Sequence, residues 1–225
     1  MGEGLMSSES KEEEGVERAE ALATLNVSMR RLMESVRTTR APKGVIETAR
    51  AQVEALSTEL EPYIHPGPHA QADQLGGLGW VAETQDPMQI FPYSPLIGRL
   101  NPVSPPVEFW VEDGVVHGRG VFGALYCGPP GFVHGGVVAA VMDELLGVVN
   151  VVNDLGAMTG TLTVRYRKPT PLFQEIRMEG HSQGSEGRKV YAEGRFWAGE
   201  ELLAEASGTF IKLTQAASDR FGWSG

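Results

Sequence analysis

The apolar residues of this chain keep three different rhythms, and each predicts a different element. Leu22, Leu25, Met29, Leu32 and Val36 recur at spacings of three and four, and Ile46, Ala49, Val53, Leu56 and Leu60 repeat that spacing after Ala41-Pro42-Lys43-Gly44. This is a helical period, so residues 19–61 read as a helical hairpin, a packing or dimerising arm without chemistry of its own. From Val107 the period drops to two. Val107–Val111 and Val115–Val121 flank the hairpin signal Glu112-Asp113-Gly114. Thr159–Arg167, Glu175–Ser182, Lys189–Trp197 and Leu202–Leu213 follow, with turns at residues 184–187 and 198–200. Leu162, Val164 and Tyr166 alternate with Thr161, Thr163, Arg165 and Arg167, as in an antiparallel sheet with one face buried. The third rhythm is an absence of one: Val137–Val149 is apolar on every side apart from Asp143 and Glu144. A helix of that kind belongs inside something. The expected architecture is α+β, an antiparallel curved sheet of five or six strands wrapped around one long buried helix.

Punctuation sets the boundaries. Residues 1–18 are rich in Glu, Ser and Gly and read as a disordered acidic tail. Residues 62–91, dense in Pro and Gly, read as a connecting segment ahead of the main domain at 92–214, and 215–225 as a C-terminal tail.

Charge narrows the function classes. The net charge is −10, and half of it sits in the first twenty residues, where seven Glu oppose Lys11 and Arg18. A mildly acidic remainder offers no footprint for nucleic acid and none for an anionic membrane. One cysteine, Cys127, excludes an intramolecular disulfide and a Cys/His zinc cluster. The opening residues lack a signal-peptide pattern, and the chain reads as cytoplasmic.

Two motifs mislead. Gly180-His181-Ser182-Gln183-Gly184 spells a nucleophile elbow, but a strand pattern follows it and no later histidine exists. Gly118-Arg119-Gly120-Val121-Phe122-Gly123 spells a dinucleotide fingerprint, but no helix opens after it. The informative segment is Phe132-Val133-His134-Gly135-Gly136, running straight into the buried helix. Glycines admit a ligand to the backbone, and the first amides of a helix have no intrahelical acceptor, so this turn can polarise a carbonyl. Asp143 then needs a reason: a carboxylate within an apolar helix is costly unless paired, hydrated or used. Eight residues of helix place Asp143 about 12 Å from Gly135. Two antiparallel copies across a two-fold axis would bring Gly135 of one chain to Asp143 of the other, which implies a homodimer.

His134-Gly135-Gly136, Asp143, and Thr159 opening Thr159–Pro169 together resemble the hotdog-fold acyl-CoA thioesterases, most of all the phenylacetic-acid-pathway enzymes and the human thioesterase superfamily members. The resemblance covers about 92–213. It implies a dimer, often a dimer of dimers, hydrolysing an acyl-CoA thioester with no metal or organic cofactor. By position, Gly135 would polarise the thioester carbonyl, His134 would shape the loop, Asp143 would be general base or nucleophile, and Thr159 would orient the carboxylate or the water. Gly136 would lie against substrate. Several relatives carry a polar residue six positions before the histidine; here that position is Gly128. Arg165, Arg167 and Lys168 form the densest basic cluster, a seat for the phosphates of CoA or else strand residues balancing nearby acids. Phe132, Met142, Leu145 and Leu146 line an acyl tunnel or pack the core. The alternative function is a non-catalytic acyl-CoA-binding protein of the same fold. A dehydratase would need a histidine where Asp143 stands.

Overall fold

A computed structural model describes residues 8–67, 69–72, 86–153 and 155–214. The main domain is a six-stranded antiparallel sheet: β1 (Val107–Glu112), β2 (Val115–Val121), β3 (Ala157–Tyr166), β4 (Glu175–Glu186), β5 (Lys189–Ala198) and β6 (Glu201–Lys212). Its spatial order is β1-β2-β4-β5-β6-β3, leaving β1 and β3 at the edges. Both misleading glycine motifs fall in this sheet, Gly180–Gly184 inside β4 and Gly118–Gly120 inside β2.

The long helix α4 (Gly135–Val152) lies against the sheet's inner face. Val138, Val141, Met142, Leu145, Leu146, Val148 and Val149 are buried on it, joined by Val116, Ile176, Met178, Val190, Phe196 and Phe210 from the strands. Glycines in the strands create the space: a Cβ on Gly180 would sit 2.7 Å from Val149, and one on Gly194 3.0 Å from Leu145. Met142, Leu145 and Leu146 are thus core residues, and Phe132 is half-buried. By length and composition α4 could cross a membrane, but its apolar side chains are the interior of this domain.

Both N-terminal helices form. The first, α1 (Ser8–Thr38), starts well inside the stretch expected to be disordered. Residues 8–18 are helical because Glu, Lys and Arg are good helix formers and acidic groups near an N-terminus favour the dipole; residues 1–7 lie outside the described ones. The second, α2 (Lys43–Leu60), contains no buried residue. The segment expected to connect contributes to the core: α3 (Pro87–Ile90) and the turns after it bury Pro87, Phe91, Ile97 and Leu100. The domain therefore reaches back beyond residue 92. The C-terminal tail, 215–225, is outside the described residues.

Candidate active site

His134 is the N-cap of α4, with extended backbone, and its Nδ1 accepts the Gly136 N–H at 3.0 Å. An accepting Nδ1 leaves the ring proton on Nε2. The His134 carbonyl accepts from Val137 at 2.9 Å and Val138 at 3.2 Å. This leaves the Gly135 N–H as the amide of the first turn without an acceptor among the described residues. Gly136, expected to lie against substrate, has its amide committed to His134. The Gly135 carbonyl accepts from the Tyr166 hydroxyl at 2.8 Å, so the end of β3 fixes the Gly135–Gly136 peptide, next along the chain from the one that carries the open donor. Sequence reasoning missed Tyr166; its inward position in the alternation was the available signal. The turn before the helix is held twice more, His134 N–H to the Tyr126 carbonyl and Val133 N–H to the Thr170 carbonyl, both at 2.8 Å. Gly128 has no room for a side chain, since a Cβ there would lie 2.7 Å from His134 Cα. The polar residue other chains place here is excluded by the close approach of this loop.

Asp143, two turns further along α4, is half-buried and accepts from the Thr159 hydroxyl at 2.9 Å. Strict alternation would have put Thr159 on the outer face with Thr161, Thr163 and Arg165. A register shift intervenes: Thr159 is opposite Phe210 but Thr161 is opposite Thr209, so Gly160 is an extra residue. Phe210 is fully buried. The bulge turns Thr159 to the inner face, the usual way a strand re-aims one side chain. Ile211 at 3.1 Å and the Thr209 carbonyl at 3.2 Å from a hypothetical Cβ make residue 160 a close fit for glycine.

Glu144 points elsewhere. Its Oε1 accepts from the Ser94 hydroxyl at 2.6 Å. Burial lifts its carboxyl above the ordinary carboxylate range, the Ser94 hydrogen bond opposes that, and the charge of Asp143 adds to it. Ser94 is itself buried and caps the turn before β1, accepting from Leu96 at 3.1 Å. Of the two adjacent acids, Glu144 ties α4 to the 91–106 segment and Asp143 faces the open side.

The basic cluster is not free. Arg165 and Arg167 both pair with the half-buried Glu205, and Lys168 pairs with Glu201; the three basic residues and Glu201 are exposed. A cleft of about 1010 Å³ between α1 and the β1–β2 edge, among Arg30, Met88, Phe109, Trp110 and Arg119, contains none of the candidate site residues. Among the described residues no group of three His, Cys, Asp or Glu side chains could hold a metal ion.

One chain therefore presents two separate halves: an open amide at Gly135, and a hydroxyl-held carboxylate at Asp143. Residues 130–205 match the thioesterase superfamily. Acyl-coenzyme A thioesterase THEM4 of Xenopus laevis is 39% identical over 88 residues, 38% of this chain and 40% of that protein. Acyl-coenzyme A thioesterase THEM5 of Homo sapiens is 30% identical over 93 residues, 40% of this chain and 38% of that protein. The chain thus spans about two fifths of the length of the curated relatives it matches. A crystal structure of a thioesterase superfamily protein matches with a TM-score of 0.70 at 28% identity, covering 84% of this chain and 94% of the other. A sheet curved around α4, a glycine turn at the helix start and this sequence likeness agree: the chain has a hotdog fold, and its residues 130–205 are similar to the thioesterase superfamily.

Proposed function

We propose that this chain hydrolyses an acyl-CoA thioester to the free acid and CoA, at two equivalent sites shared between the protomers of a homodimer or a dimer of dimers. The observation that carries this reading is the Thr159-held carboxylate of Asp143 on the same helix as the unpaired Gly135 amide. About 12 Å of helix separates them, so each active site takes its amide from one protomer and its carboxylate from the other. Two features support that assembly. β3 is a sheet edge whose outer backbone groups can pair with a second copy. The face of α4 turned away from the sheet carries Gly136, Ala140, Asp143 and Gly147, small enough for close approach of a second helix.

In the reaction, a water oxygen attacks the thioester carbonyl carbon while Asp143 takes its proton. The Gly135 N–H stabilises the developing oxyanion. The C–S bond then breaks, the thiolate of CoA leaves and recovers the proton, and the acid departs. Attack by the Asp143 carboxylate itself, through an anhydride that water then cleaves, uses the same two groups. Arg165, Arg167 and Lys168 would receive the CoA phosphates by exchanging Glu205 and Glu201 for phosphate oxygens, and exposed ion pairs resist such exchange by only about 1 kcal/mol. The setting is cytoplasmic, where Cys127 stays a thiol.

The test is a panel of acyl-CoA substrates with a thiol-reporting dye. Wild-type protein should release thiol, and Asp143→Asn should lower turnover by about 100-fold while remaining folded. Binding of acyl-CoA with no thiol released would instead assign the chain as an acyl-CoA-binding protein. A strictly monomeric mass in solution would overturn the shared site.

A further inference from the structure

The face of α1 that meets the domain is polar at every fourth residue. Asn26 is buried and donates from Nδ2 to the Arg99 carbonyl at 3.1 Å. Arg30 donates to the Asn101 carbonyl at 3.4 Å. Glu34, one turn on, accepts from two backbone amides, Ala124 at 2.7 Å and Leu125 at 3.1 Å. These amides open the short 3-10 turn Ala124–Tyr126. Gly123 admits the carboxylate: a Cβ there would stand 3.0 Å from both Glu34 oxygens. The Tyr126 carbonyl that ends this turn holds the His134 N–H at 2.8 Å, and Cys127 bridges Val133 across the loop. A continuous series of hydrogen bonds therefore runs from the Glu34 carboxylate through residues 124–126 to His134 and the Gly135 peptide.

We propose that Glu34 is a positioning residue for the carbonyl-polarising turn, so that the N-terminal helix, 90 residues away in sequence, sets the aim of the Gly135 amide. Burial lifts the Tyr126 hydroxyl above its ordinary range, with the charge of Arg30 opposing and that of Glu34 adding to the shift. Charge-assisted hydrogen bonds to backbone amides are among the stronger ones a carboxylate makes. Both are directed at the start of the single short turn between β2 and the segment leading into α4, where a fixed anchor matters most. The inference rests on the proposed role of Gly135, and the closing experiment separates the two.

The experiment compares Glu34→Ala, Glu34→Gln and, as a control on the exposed side of α1, Glu20→Ala, all in the full chain. Hydrogen exchange of the amides from 124 to 136 reads the coupling without any activity, and acyl-CoA turnover reads its consequence. Glu34→Ala should raise exchange throughout residues 124–136 and lower kcat about tenfold or more, the scale for small misplacements of a reacting group, with KM changed less than about threefold. Glu34→Gln keeps one oxygen acceptor and should recover kcat to within about threefold of wild type. Glu20→Ala should match wild type. Unchanged exchange at 124–136 in Glu34→Ala, or equal damage from Glu34→Gln, overturns the proposal. If the wild-type chain releases no thiol, the hydrolytic reading fails while the exchange comparison still decides the role of Glu34. Should Glu34→Ala not fold, Gly123→Ala displaces the carboxylate instead and should give the same exchange pattern; unchanged exchange there overturns the proposal equally.

Discussion

Two helices of this chain have the same length, 18 residues, and opposite fates. α2 carries a regular 3-4 stripe of apolar residues and buries none of them; Val45, Ile46 and Leu60 are about half exposed. α4 has no clean stripe and buries eight residues. The acids on the two helices differ in the same way. Glu47 and Glu54 on α2 sit in open, exposed pairs with Lys43 and Arg50, one turn away, whereas Asp143 and Glu144 on α4 are half-buried and held by hydroxyls from other elements. An amphipathic pattern shows that a helix has an apolar face; it does not supply the partner that covers that face. Chemistry appears where a polar group is enclosed by a sheet that also provides its hydrogen-bond donor.

The contrast can be broken by substitution, and the largest effect should come from the core of α4. Leu145→Ala removes a fully buried side chain wedged over Gly180 and Gly194 and should cost about 2–5 kcal/mol in chemical denaturation. Next in size is the donor to the carboxylate. Thr159→Val keeps the shape of the side chain and loses the hydroxyl, so kcat should fall about 10- to 100-fold, the loss of one hydrogen bond to a charged group; Thr159→Ser should retain most of the rate. An unchanged rate in Thr159→Val would detach the bulge at Gly160 from function.

A smaller effect separates the two adjacent acids by pH. Because burial raises the carboxyl of Glu144 above its ordinary value of 4.5, the folded state holds that proton more tightly than the unfolded chain does. Its contribution to stability is therefore full below the unfolded value and is lost as pH rises through the folded one. Denaturation midpoints of the wild type, referred to Glu144→Gln, should fall as pH climbs out of the ordinary carboxylate range and then level off. A flat difference across that window would show that Glu144 is not desolvated. The smallest change belongs to α2, where Leu56→Ala should alter stability by no more than about 0.5 kcal/mol. A larger loss, dependent on protein concentration, would show that a second copy covers this helix.

Much of the architecture was legible because it follows from period. Six alternating segments became six strands, and the segment without alternation became the central helix. The turn at His134–Gly136 and the acid at Asp143 were legible because glycines before a helix and a carboxylate within an apolar one both need a physical reason. Three parts were not. The Gly160 bulge breaks the alternation that a sequence reader relies on, so the inward aim of Thr159 came from the resemblance and not from the pattern. Tyr166 and Ser94 act through contacts 31 and 50 residues away. Asn26, Arg30 and Glu34 interrupt the apolar stripe of α1 at four-residue spacing, a signal present in the sequence but readable only once their carbonyl and amide partners are known.

The sequence by itself determined the elements, their order and the two chemical groups, because hydrophobic period and the cost of burying charge are local properties that a single chain displays. Only the tertiary structure decided which acid stays on the open side of α4, which amide is left without an acceptor, and which distant side chains hold them. Those are questions of hydrogen-bond satisfaction, and a donor's partner is fixed by what folding brings within about 3 Å of it, which no spacing along the chain specifies.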